Sequence, residues 1–196
     1  MQYTETIPPP AHDFDKIEKW KNCTLCQLCK TRDKVVLWRG YLGCQVLFVG
    51  EAPGAFEDSR GLPFVGPAGK KLDEIIFAVE SELLEDGQDP LFTYAITNLI
   101  CCIPKTEKEI RIPKKEEIKA CSGRLKEFVE VASPSLIVRV GKLAATNFSS
   151  KLPTVDIVHP TAILQADPSQ QGVIFRKAVC SVFNAITRMR KMAEGN

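Results

Sequence analysis

No stretch of this 196-residue chain approaches the roughly 20 consecutive apolar residues that a bilayer-spanning helix requires. The opening Met1-Gln2-Tyr3-Thr4-Glu5-Thr6 lacks the basic-then-apolar character of a secretory leader. Both absences predict a cytoplasmic protein with no membrane partner. Charge of one sign is equally scarce: 26 basic residues stand against 24 acidic ones, for a net charge of +2. That is too little for a polybasic coat, so any contact with nucleic acid has to come from local patches. No internal repeat or low-complexity tract is present. Histidine is sparse as well, with His12 and His159 alone.

Cysteine, by contrast, is plentiful: Cys23, Cys26, Cys29, Cys44, Cys101, Cys102, Cys121 and Cys180. In a reducing compartment such clustering favours a metal site over a disulfide framework. The length and an ordinary hydrophobic content predict one globular domain over residues 12–196, expected to be a monomer. Residues 1–11, stiffened by Pro8-Pro9-Pro10, read as a flexible N-terminal arm that takes in the neighbouring His12. A short helix is expected around residues 14–21.

Four apolar, β-rich runs follow, at residues 45–50, 93–98, 136–141 and 155–158, each bounded by turn residues. Their unbroken apolar character is that of buried parallel strands. Helical patterns separate them at residues 66–84, 114–131 and 142–149, and a last one runs over 172–192. The alternation predicts a three-layer α/β/α fold with a central four-stranded, mainly parallel sheet. Ligands are then expected at the carboxyl ends of the strands.

Cys23-Thr24-Leu25-Cys26 is a Cys-x-x-Cys spacing that lets two thiolates meet one metal or cluster. Cys101-Cys102 and Cys121 can supply further ligands from far along the chain. Four thiolates in this two-plus-two arrangement fit either zinc or a 4Fe–4S cluster, and Cys29 is spaced to replace a neighbour. Cys44 and Cys180 read as small apolar core residues.

The first predicted strand ends in Gly50-Glu51-Ala52-Pro53-Gly54, followed by Glu57 and then by Pro63-Phe64-Val65-Gly66-Pro67-Ala68-Gly69-Lys70. Such a loop can turn backbone N–H groups toward a ligand. It is not a phosphate-binding P-loop: Phe64 stands where the earlier glycine is required, and Lys71 where Ser or Thr is.

With these motifs in order, and with Thr97-Asn98, Cys102, Cys121 and His159-Pro160 after them, the chain from Cys23 to about Leu164 resembles the family 4 uracil-DNA glycosylases. The resemblance implies an enzyme that flips uracil from DNA, single- or double-stranded, and hydrolyses its N-glycosidic bond. It implies a 4Fe–4S cluster on Cys23, Cys26, Cys102 and Cys121, with Cys101 standing where many relatives carry a basic residue. Gly50, Glu51 and Ala52 are implied as pocket backbone, Phe64 as the ring that stacks on the base, Asn98 as the base-selecting residue, and His159 as the group at uracil O2. Glu51 and His159 are the candidate catalytic residues. The stretch Leu37–Tyr41 is atypical, and the loop from Cys102 to Cys121 is longer than usual and lacks a common Gly-Asn-Arg. The rival readings are a uracil-DNA-binding relative that traps its substrate without turnover, and a zinc-stabilised nucleic-acid-binding domain.

The chemistry asks for these residue types. A flipped base costs a few kcal/mol to extrude, and stacking on Phe64 returns roughly 1–3 kcal/mol. A carboxamide at Asn98 can donate to uracil O4 and accept from N3–H, a pattern that cytosine reverses. A donor at His159 can stabilise the departing uracil anion. Lys105, Lys108, Arg111, Lys114, Lys115 and Lys119 are candidate phosphate contacts, and Leu164 is a candidate wedge for the gap left by the flipped base.

Overall fold

The computed structural model of the chain describes residues 11–106 and 109–194. Its strands are β1 (Arg39–Gly40), β2 (Val46–Gly50), β3 (Tyr94–Asn98), β4 (Leu136–Val140) and β5 (Thr154–Ile157). They form one sheet in the order β1-β3-β2-β4-β5. The four long strands are mutually parallel, and β1 pairs antiparallel with β3. The four expected strands lie within a residue of the expected positions. The two-residue β1, a fifth strand on the edge, escaped because it has no apolar run to read.

Helices cover both faces, because successive residues of a strand point to opposite sides and both sides here are apolar. Val46 and Phe48 of β2 face one core together with Ile96, Val138 and Ile157. Against that core pack α3 (Pro67–Glu85), α6 (Pro160–Gln165) and α7 (Pro168–Glu194). Leu47 and Val49 face the other core, closed by α1 (Ala11–Glu18), α4 (Lys115–Ala132) and α5 (Lys142–Asn147). The α/β/α expectation therefore holds. A short α2 (Ala55–Arg60) and the equally short α6 were not anticipated. At six residues each they are too brief to show helical periodicity.

The arm expected over residues 1–11 lies outside the described residues, apart from Ala11, which opens α1. The backbone at His12 is therefore helical. After α1 come two single turns of 3₁₀ helix, Lys19–Asn22 and Gln27–Lys30, which bracket Cys23 and Cys26. Cys44 is buried as expected, whereas Cys180 is half-buried on α7. Among the described residues no helix is long and apolar enough to cross a membrane.

Candidate functional site

The parallel strands deliver Gly50, Asn98 and, two residues beyond β5, His159 to the same end of the sheet. Gly50 and Asn98 are register partners at the ends of β2 and β3. A Cβ placed on Gly50 would meet Asn98 Oδ1 at 2.4 Å and Phe64 Cε2 and Cζ at 2.5 Å. Glycine is thus required where the carboxamide, the ring and the backbone converge. Asn98 is 1% exposed, and its Oδ1 has no hydrogen-bond partner. A buried acceptor without a donor costs of order 1–3 kcal/mol, so this oxygen is held ready for a partner the fold does not provide. The Phe64 and His159 rings lie 6.1 Å apart at 37°.

Phe64 is held in an unusual backbone. Its φ is +55°, in the left-handed region that a bulky L-residue rarely adopts. Three restraints keep it there. Glu57 accepts from Val65 N at 2.9 Å and Gly66 N at 2.8 Å while its other oxygen accepts from Gly54 N at 3.0 Å, which staples the Gly50–Gly54 loop to the Phe64 loop. Gly69 approaches so closely that a Cβ there would lie 1.9 Å from the Phe64 carbonyl oxygen. Arg39 of β1 donates to the Pro63 carbonyl at 3.0 Å and the Phe64 carbonyl at 3.3 Å, and pairs with Asp73 of α3 at 2.5 Å. Burial pushes the Asp73 carboxyl up while Arg39 opposes it. The atypical stretch around Arg39 therefore has a function in the fold that sequence reasoning missed. Its signal, a lone arginine before a glycine, carries no spacing that points to Phe64.

His159 caps α6. Its Nδ1 accepts from Thr161 N at 3.3 Å and lies 2.9 Å from Thr161 Oγ1. An Nδ1 that accepts leaves the proton of a neutral imidazole on Nε2. Burial lowers the His159 pKa from its ordinary value, against a weaker pull from Glu57, and so favours that neutral form. The ring rests on Gly141, where φ is +94° and a Cβ would come within 3.0 Å of His159 Cβ. Glu51 and Ala52, next along the loop from Gly50, are half-buried, and burial pushes the Glu51 carboxyl up.

On the opposite face of β3 lies a second site. Cys23, Cys26, Cys101, Cys102 and Cys121 all line one cavity, with Arg32 and Arg124 in its wall. Cys29 is not part of that wall. Among the described residues no three Cys, His, Asp or Glu side chains converge as closely as a single ion requires. Arg32 Nη1 donates to Cys102 Sγ at 3.3 Å, and its Nη2 to the Cys23 carbonyl at 2.7 Å. Burial raises Cys26, and it pushes Cys102 up to about 12 against the pull of Arg32. Cys121 is lowered to about 5 by a hydrogen bond from the Cys101 thiol and by the Arg124 charge, while buried Cys101 is raised. Four thiolates here need a positively charged core to repay their desolvation. Four cysteine donors fit a metal centre of that charge, an iron–sulfur cluster among them.

The loop before α4 is less available to DNA than its charge suggested. Lys105 pairs with buried Asp58 at 2.9 Å, and Arg111 makes a two-pronged pair with buried Glu117. Lys108 lies outside the described residues. Lys114, Lys115 and Lys119 are exposed. A cavity of about 320 Å³ next to Gly141 and Val158, with Asp156, Lys142 and Lys177 in its lining, offers two further cations. Leu164 on α6 is 41% exposed.

A family model described as the uracil DNA glycosylase superfamily matches residues 39–183. Three curated relatives, each named Type-4 uracil-DNA glycosylase, are similar over most of the chain. The one from Sulfurisphaera tokodaii is 37% identical over 143 residues, 71% of this chain and 60% of the relative. Saccharolobus solfataricus has one at 35% over 132 residues, 67% and 56%. That of Thermotoga maritima is 38% identical over 131 residues, 67% and 62%. The chain thus spans about 60% of the length of the relatives it matches.

Proposed function

The chain belongs to the uracil-DNA glycosylase superfamily, and from that membership we propose that it excises uracil from single- or double-stranded DNA, with residues 12–196 acting as one domain. The observation that carries this reading is the unpartnered Oδ1 of Asn98, buried beside Gly50 and the Phe64 ring. A flipped uracil stacks on Phe64, presents N3–H to that oxygen and accepts at O4 from the same carboxamide. Cytosine offers the reverse pattern and leaves the Asn98 groups unpaired, which is how a polar pocket discriminates.

Cleavage puts negative charge on uracil and positive character on the sugar. His159, neutral and with its proton on Nε2, donates to O2 of the departing base without having to lose or gain a proton first. The Gly50–Ala52 backbone lines the pocket on the other side. Glu51 faces the developing sugar cation: a carboxylate whose charge is destabilised by burial gains from a cation that forms beside it. Lys142, Lys177 and the exposed lysines at the start of α4 meet phosphates, and Leu164 fills the gap in the stack.

Cys23, Cys26, Cys102 and Cys121 would hold a 4Fe–4S cluster whose contribution is structural, since hydrolysis of a glycosidic bond moves no electrons. The deciding experiment is incubation with a uracil oligonucleotide and its thymine counterpart, followed by alkaline cleavage. More than one abasic site per enzyme, in the uracil strand alone, is expected. Intact uracil strands after prolonged incubation would overturn the reading.

A further inference from the structure

Arg124 of α4 is 1% exposed, which makes it the largest fully buried side chain in the described structure. Its Nη1 donates to Thr97 Oγ1 at 2.8 Å, and its Nη2 to the carbonyls of Asn98 at 2.5 Å and Leu99 at 3.2 Å. Its Nε has no partner. Among the described residues no carboxylate pairs with it, and Glu117, the acid that lines the same cavity, is taken by Arg111. A buried cation without a carboxylate partner needs negative charge from elsewhere, and two carbonyls and a hydroxyl supply part of it. What remains within reach is the cysteine cavity, whose wall Arg124 helps to form.

The strand geometry makes this placement consequential. Side chains alternate along β3, so Thr97 points toward α4 and the cysteines while Asn98 points toward Phe64. Arg124 grips the strand end from one face, and the base-reading carboxamide projects from the other. A cluster held by four thiolates carries net negative charge, which answers the charge of Arg124 where no carboxylate does.

We propose that Arg124 is a positioning residue linking the two sites: the thiolate-bound centre in the cysteine cavity keeps the guanidinium in place, and the guanidinium fixes the end of β3 so that Asn98 faces the base. The proposal rests on the reading of the Asn98 pocket given above. It makes the cavity more than a remote staple, because its charge state acts on base recognition through one side chain.

The test compares Arg124→Lys and Arg124→Gln with the wild-type holoprotein. Lysine keeps the charge but lacks the fork that spans two carbonyls and a hydroxyl. Glutamine removes the charge. Four quantities are read: iron and sulfide per chain, the midpoint potential of the cluster, hydrogen exchange of the peptide 94–102, and the Kd for free uracil. For Arg124→Lys the expectation is wild-type iron, faster exchange at residues 97–99, and uracil binding weakened by about tenfold. For Arg124→Gln it is the same loosening together with less iron and a more negative potential, because a nearby positive charge favours the reduced cluster. Wild-type exchange and uracil affinity in Arg124→Lys overturn the grip on β3, and that variant decides the matter even where Arg124→Gln fails to accumulate. Wild-type iron and potential in Arg124→Gln, or a wild-type protein with no metal in the cavity, overturn the charge link. If the wild-type chain binds no uracil, the functional reading falls instead, and exchange with iron content still decides for or against Arg124.

Discussion

The base pocket and the cysteine cavity share the end of β3 but are built by opposite means. In the pocket, polar groups are fixed by short local bonds: Glu57 ties three backbone N–H groups of two neighbouring loops, and Thr161 sets the tautomer of His159 from two residues away. In the cavity, the walls come from segments about 80–100 residues apart, Cys23 and Cys26 against Cys101, Cys102 and Cys121. A pocket of the first kind loses function when one group changes and keeps its fold. A cavity of the second kind depends on what fills it.

The sharpest break of that comparison is Cys121→Ala. Removing a cluster ligand should cost iron, sulfide and folding together, because binding energy at such a site is folding energy. Metal analysis and thermal melting check this, and full iron with an unchanged Tm would make the cavity no different in kind from the pocket. Next in size is Asn98→Asp. An ionised carboxylate still accepts from N3–H but opposes O4, so single-turnover excision of uracil should fall on the order of 10⁴-fold. Asn147→Asp, at the exposed end of α5 where the amide caps local groups, serves as control. Equal rates for the two would remove Asn98 from base reading.

His159→Ala should lower single-turnover cleavage by about 100- to 1,000-fold with DNA affinity little changed. The wild-type rate should hold through neutral pH and fall on the acid side, below the ordinary histidine pKa, since burial lowers that of His159. The same shift affects stability. The unfolded chain takes up this proton first as pH falls past about 6.5, so the histidine's contribution is full above that value and is lost as pH falls through the lower, folded-state pKa. Rate profiles and melts between pH 5 and 8 test both, and an acid limb that persists in His159→Ala would assign it to another group.

Arg39→Met should weaken uracil binding about tenfold while leaving iron content untouched, because it frees the Pro63 and Phe64 carbonyls without entering the cavity. Loss of iron in that variant would show that the two sites are not separable from this side. Smallest of all, Leu164→Ala should slow excision from duplex DNA a few-fold more than from single strands, where no stack has to be filled. An equal loss on both substrates would retire the wedge.

Strands with unbroken apolar runs, such as Val46–Val49 and Leu136–Val138, were legible because burial on both faces leaves no alternative pattern. Motif order brought Gly50, Phe64, Asn98, His159 and the cysteines into view. What stayed hidden was whatever rests on a single polar residue with a distant partner. Arg39 and Arg124 look like ordinary surface cations in the sequence, and each proves to be a clamp on the pocket from an element 25 or more residues away. The basic residues of the loop before α4 misled in the other direction, since a charge run does not say which members are spent on buried acids, as Lys105 is on Asp58 and Arg111 on Glu117. Short elements, β1, α2 and α6, lack the length that periodicity needs.

The left-handed backbone of Phe64, pinned by Glu57, Arg39 and Gly69, bears on kinetics. A ring that is already in place has no closing motion to make and little entropy left to lose when the base arrives. The slow partner is then the DNA: capture waits on the lifetime of an extruded nucleotide. Uracil that is poorly paired or in a single strand spends longer outside the stack, so at limiting enzyme it should be removed sooner than uracil opposite adenine. A difference that vanishes under single-turnover saturation would place the advantage in this waiting time, and one that survives saturation would place it in the chemistry.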